Sequence, residues 1–216
     1  MTGYDFTLAG ARLTALGSGA LWWAEHRMLC VSDLHLGKSE RHARRGGSAL
    51  PPYETRDTLI RLSELVSALQ PDTVVCLGDS FDDDAASRAL PDAEQSQLGA
   101  LMHNRRWIWI TGNHDPAPED LGGEQLAELH LAPLTFRHIA DPLATAEVSG
   151  HYHPKARVRS TSRPCFLLDR SRLILPAFGT YTGGLRSSDP AFSPLMAPDA
   201  LAILTGPRPL PVPMPR

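Results

Sequence analysis

Cysteine is scarce in this chain. Its 216 residues hold three, Cys30, Cys76 and Cys165, each inside an apolar run. An odd, small number argues against a disulfide framework, and the lack of a CxxC pair argues against a thiolate zinc site. Buried thiols in a reducing cytosol are the expectation. Long hydrophobic runs are absent too. No uninterrupted apolar segment is long enough to span a bilayer, and MTGYDFTLAGARL lacks the charged and apolar regions of a secretion signal. The reading is a cytoplasmic protein with no membrane partner. Nor does one sign of charge dominate: 21 Lys and Arg against 24 Asp and Glu leave a net −3. Contact with nucleic acid would therefore need a local patch. There is no internal repeat and no long Gly/Ser linker. A single domain over residues 1–206 is expected, followed by a proline-rich tail, 207–216, extended or mobile.

Hydrophobic residues make up 42% of the chain, enough for a well-buried α/β core. FTLAG, ARLTAL and ALWWA read as strands separated by glycines. MLCVSD, TVVCLGD and WIWITGNHD read as buried strands that each end in polar residues. Between them, Leu59, Leu62, Leu65, Val66 and Leu69 recur at helical spacing until Pro71, and PDAEQSQLGALMHNR reads as a second helix with Pro91 near its start. This alternation predicts a mainly parallel sheet. The second half has almost no helical period. LHLAPLTFRHI, AEVSGHYH, ARVRS, CFLLD, RLILPAF and ALAILTG predict a further sheet, so two sheet layers flanked by helices account for the whole.

Ligands of open α/β sheets bind beyond the carboxyl ends of the strands. There the sequence places Asp33-Leu34-His35, Gly78-Asp79 and Gly112-Asn113-His114-Asp115, followed later by Arg137-His138 and Gly150-His151-Tyr152-His153. If these segments are extended, alternate residues share a side, so Asp33 can act with His35 and His151 with His153. The glycines before Asp79, Asn113 and His151 permit tight turns and close approach. Carboxylate, imidazole and amide oxygen form a hard-to-borderline donor set suited to manganese, iron or zinc.

In this order the motifs resemble the calcineurin-like metallophosphoesterase superfamily, whose pattern reads DxH, GDxxD, GNH[DE], H, GHxH. A narrower resemblance, from the first strands to about residue 185, is to the bacterial ligase-associated phosphoesterase family PdeM. It rests on VSDLHLGKSERHARRGG, LPPYETRDTL, VCLGDSF, GNHDP, FRH, GHYHPKARV, RPCFLLD and LPAFGTYTGGL. The chain departs from that family after FRH and at Asp82, where a His is common; Asp82 restores the superfamily's GDxxD form. The missing arginine of GDxxDRG and the Asp of GNHD separate it from the protein phosphatase branch.

The resemblance implies a four-layer α/β/β/α sandwich with two divalent metals, manganese first, at one edge. Asp33, His35 and His153 would hold one metal, Asn113, His138 and His151 the other, and Asp79 would bridge them. A hydroxide shared by the metals would attack phosphorus, His114 would protonate the leaving oxygen, and Asp82 would orient His114. The implied activity is phosphodiester hydrolysis, on nucleic acid or nucleotide substrates in a DNA-repair setting, with DNA ligase and helicase as functional associates. A phosphomonoesterase with the same centre and a catalytically weak metal-binding adaptor are the alternatives. Lys38, Arg41, Arg44 and Arg45 read equally as a solvated helix face and as a positive rim for a phosphodiester backbone. His138 is preferred to His130, which alternates as a solvent-facing strand residue. Trp22, Trp23, Trp107 and Trp109 offer rings for base stacking, but Trp107 and Trp109 share one strand face and suit the core better. Nothing in the sequence requires Tyr181 to approach substrate.

Overall fold

A computed structural model describes residues 2–39, 41, 53–83, 86, 88–113 and 121–215. Two sheets carry the architecture. The first has seven strands in sequence order: β1 (Gly3–Leu8), β2 (Ala11–Leu16), β3 (Leu21–Trp23), β4 (Met28–Val31), β5 (Thr73–Leu77), β6 (Arg106–Ile110) and β7 (Glu124–Leu126). Pairing is antiparallel from β1 to β4 and parallel from β4 to β7. The second comprises β8 (Glu128–Leu131), β9 (Leu134–Arg137), β10 (Glu147–Ser149), β12 (Thr161–Leu168), β13 (Arg172–Ile174), β14 (Leu201–Leu204) and β15 (Leu210–Pro213), with β11 (Lys155–Val158) paired to β12. Its order is β15-β14-β12-β13-β10-β9-β8.

Strict alternation along the parallel strands assigns each side chain to a layer. Met28, Cys30, Val75, Leu77, Ile108 and Ile110 face the second sheet. There they join Phe136, Val148, Phe166, Leu173 and Ile203 in one buried cluster between the sheets. Trp23 and Phe136 stack across it, with ring centroids 6.3 Å apart. The alternate residues Leu29, Val31, Val74, Cys76, Trp107 and Trp109 form a second cluster on the outer face. Over it lie α1 (Glu54–Leu69), through Leu59, Leu62, Leu65 and Val66, and α2 (Asp92–Met102), through Leu98 and Leu101. Helix α1 ends where Gln70 turns left-handed (φ 46°) and its N–H caps the Val66 carbonyl; Pro71 cannot continue the helix.

The sandwich stands as expected, with one distinction on its far side. Among the described residues, the outer face of the second sheet is covered by a segment containing a short 3-10 helix, Pro190–Phe192, whose Phe192, Leu195 and Met196 pack on Cys165, Leu167 and Ala202. The segment set apart in the sequence as a tail contributes β15, which pairs with β14. Its prolines lack N–H groups, and an edge strand is where a sheet accepts them. Trp107 and Trp109 are core residues; Trp23 is also buried and Trp22 partly so, which removes them as base-stacking platforms.

Two outcomes follow. Phe136→Ala, which empties the centre of the intersheet cluster, should cost about 3–5 kcal/mol in denaturant unfolding. Burial pushes the Cys165 thiol up to about 12 and raises Cys30 as well. Native protein at pH 8 should therefore resist alkylation at these thiols and react fully once unfolded.

Candidate metal centre

The ends of β4, β5 and β6 and those of β9 and β10 meet at one edge of the sandwich. The loop after β4 and the loop after β5 are zipped together: His35 N–H donates to Asp79 O (2.9 Å), Leu36 N–H to Ser80 O (2.9 Å) and Asp82 N–H to Leu36 O (3.0 Å). In the second sheet, Gly150 N–H donates to His138 O at 2.9 Å. Asp33 joins the two systems. Its Oδ2 accepts from the Ser32 hydroxyl and from His151 N–H (3.0 Å), while Oδ1 faces His153 Nε2 at 3.1 Å.

Two groups of potential ligands result: Asp33, His35 and His153, and Asp79, His138 and His151. In the first, His35 Nε2 lies 3.4 Å from His153 Nε2. In the second, His138 Nε2 lies 3.4 Å from Asp79 Oδ2, 3.2 Å from His151 Nδ1 and 2.9 Å from Asn113 Oδ1. Ligands about 2.1 Å from one ion at tetrahedral angles lie about 3.4 Å apart, so these separations fit donors around a cation. The groups adjoin, since Asp33 Oδ1 is 4.0 Å from His138 Nδ1.

The far side of the rings is also fixed. His35 Nδ1 is 3.0 Å from Asp82 Oδ1, and His138 Nδ1–H donates to Leu77 O at 2.8 Å. Each contact leaves the opposite nitrogen aimed into the site, as metal-ligating histidines require. Charge points the same way. Asp33, Asp79 and Asp82 are all buried, at 0%, 2% and 4% exposure, which is costly unless positive charge balances them. At Asp33 burial works to raise the carboxyl pKa, but His153, His138 and the Ser32 hydroxyl together outweigh it and the net shift is down. At His138 burial works to lower the pKa, yet Asp79 and Asp33 outweigh it and the net shift is up. At His151 burial and the neighbouring His138 lower it.

The sequence suggested extended segments, but the ligand-bearing residues are not extended. Asp33, His35, Asp79, His151 and His153 have φ of 53°, 45°, 46°, 71° and 46°. Such left-handed backbone is unfavourable for non-glycine residues and concentrates at functional sites. It breaks the strand alternation, so that His151 and His153 reach different ligand groups. Gly78 lies against the His138 ring, which a Cβ there would strike.

The expected pairing of Asp82 with His114 lies outside the described residues. The Asp82 carboxylate meets His35 Nδ1 and, at 2.8 Å, Arg41 Nη1. The zipped loops bring it to His35; Arg44 and Arg45 also lie outside the described residues. Burial works to raise the Asp82 pKa, but the bonds from His35 and Arg41 outweigh it and hold the carboxyl well below the usual range. Arg41 also lies 3.6 Å from Asp83, and Lys38 adds its charge to the field at Asp82. These two cations of the expected rim thus act on acids of the site. His130 is exposed and bonded to Glu128 and Thr135, away from the ligands. Ser32 was missed in the sequence; its signal was a lone hydroxyl ending an apolar strand. Beside Asn113 and His138 opens a cleft of about 290 Å³, lined also by Thr111, Glu128, Arg137 and Ile139.

The calcineurin-like phosphoesterase family model matches residues 26–170, and the chain belongs to that family. It is a metal-dependent phosphoester hydrolase. Among solved structures it is similar to the crystal structure of nuclease MPE from Pseudomonas putida, with 27% identity and a TM-score of 0.78 over 98% of this chain and 100% of that one. No curated protein gives a significant match.

Asp82→Asn keeps the shape but removes the charge behind His35. It should weaken divalent-cation binding about 10–100-fold in calorimetric titration and, because it also takes the charge from the Arg41 pair, lower the unfolding midpoint.

Proposed function

We propose that the chain hydrolyses phosphodiester bonds of nucleic acids or nucleotides at a binuclear centre. The observation that carries this reading is the pair of adjoining ligand groups, built from both sheets around buried carboxylates. Asp33, His35 and His153 would hold one cation and Asn113, His138 and His151 the other, with Asp79, grouped with the second set, as the carboxylate they would share. Bound cations supply Lewis acidity and acidify water towards neutrality. Asp82 fixes the ring of His35, Leu77 O fixes that of His138, and His114, next in the chain after Asn113, protonates the leaving oxygen. Manganese is the preferred metal, because the donors are carboxylate, imidazole and amide oxygen without thiolate; zinc and iron suit the set next best.

A diester is preferred to a monoester for two reasons. A solved structure similar over 98% of this chain is that of a nuclease, and the cleft beside Asn113 leaves room for a second ester group. Assignment to the ligase-associated PdeM group, and with it a DNA-repair setting and functional association with DNA ligase and helicase, rests on the motif text quoted above. A cytoplasmic location suits three cysteines that are all buried.

The test is a panel. Chelator-stripped protein, reloaded separately with manganese, zinc or iron, is assayed on aryl mono- and diesters and on single- and double-stranded oligonucleotides. Diesters and oligonucleotides should turn over fastest with manganese, and Asp79→Asn should lower kcat at least about 10²-fold. Preference for the monoester would make the chain a phosphomonoesterase. Absence of turnover with every metal would leave a metal-binding adaptor.

A further inference from the structure

The loop from Phe178 to Leu185 is built against the first ligand group at both ends. Phe178 N–H donates to Ser32 O (2.7 Å) and Gly179 N–H to Asp33 O (3.1 Å). At the other end Leu185 N–H donates to Tyr152 O (3.2 Å), and Gly184 lies so close to the His153 carbonyl that a Cβ would strike it. The loop therefore bridges the backbones of Asp33 and His153.

It is braced from below as well. Arg61 on α1 donates to Phe178 O and Thr180 Oγ1, both at 2.8 Å, and its guanidinium lies 4.8 Å from the Phe178 ring centroid. Thr180 Oγ1 donates to Asp57 at 2.6 Å, its N–H donates to Thr58 Oγ1 at 3.1 Å, and Lys155 Nζ donates to Thr182 O at 3.1 Å. At the apex of this frame stands Tyr181, 43% exposed and in left-handed backbone at φ 60°. A bulky residue there is a conformational outlier. Burial does not compensate for it. Two residues of chain span at most ~7 Å, so Tyr181 is held within that distance of Gly179, which is bonded to Asp33. Among the described residues the exposed Phe, Tyr and Trp side chains are Tyr53 and Tyr181, and Tyr181 is the one carried by the loop that Gly179 bonds to Asp33 O.

We infer that Tyr181 is a substrate-contacting residue whose ring stacks on an unpaired nucleobase flanking the scissile diester. Stacking tolerates any base, is strong for single strands, and gains from a platform rigid before binding. The inference rests on the phosphodiesterase reading and names the part of the substrate, beyond the phosphate, that the site grips. It assigns the strained loop a purpose distinct from supporting ligands: Gly179 and Gly184 press on the centre, while the residue between them faces solvent.

Two esters with the same leaving group test it: thymidine p-nitrophenyl phosphate, which carries a base, and methyl p-nitrophenyl phosphate, which does not. In Tyr181→Ala the preference for the thymidine ester in kcat/KM should fall about tenfold, chiefly through KM. Tyr181→Asn, which suits left-handed backbone but has no ring, should fall equally; Tyr181→Phe should keep the preference, and so should Tyr53→Ala. Fluorescence anisotropy with a short single-stranded oligonucleotide should show the same ranking of affinities. Wild type active on both esters, with an unchanged preference and unchanged oligonucleotide affinity in Tyr181→Ala and Tyr181→Asn, overturns the inference alone. Wild type inert to both overturns the phosphodiesterase reading and the inference together.

Discussion

One carboxylate, Asp33, holds the centre together mechanically as well as electrostatically. It leaves the first sheet at the end of β4, yet its oxygens are taken by the backbone of His151 and the ring of His153, both carried by the second sheet. The site exists only where the two sheets are stacked in register. The intersheet cluster around Trp23 and Phe136 is thus part of the chemistry, because a shift between the layers would separate donors that now lie 3–4 Å apart.

The basic residues near the centre change meaning in this setting. Arg41 could have been a free cation at a phosphate-binding rim. Its contacts with Asp82 and Asp83 make it instead a counter-charge within the acidic cluster. On the proposed reading, bound cations would add to the attraction for an anionic substrate, with buried Asp33, Asp79 and Asp82 supplying the negative charge that retains them.

Much of this was readable from the chain. The short apolar runs in MLCV, TVVCL and WIWI marked the buried strands, and the helical spacing of Leu59, Leu62, Leu65 and Val66 marked the face of α1, because local pattern and final burial coincide there. His138 was separable from His130 by the motif in which it stands. What escaped was set by distant partners. β7 is three residues with a polar start and becomes a strand beside β6. β15 is rich in proline and becomes a strand because β14 offers it an edge. Asp82 finds His35 through the Leu36–Phe81 bridge, a pairing between loops that no local pattern announces. The bracing of Tyr181 likewise depends on α1, more than a hundred residues earlier in sequence.

The positive φ values at Asp33, His35, Asp79, His151 and His153 limit the repertoire of donors the chain can offer. Short polar residues such as Asp, Asn and His tolerate that geometry better than branched or bulky ones. Exchanging a ligand for a longer carboxylate or a branched hydroxyl would therefore meet conformational resistance before coordination chemistry was tested. Selection for a different ion would have to reshape the main chain first, so the skeleton guards the identity of its ligands.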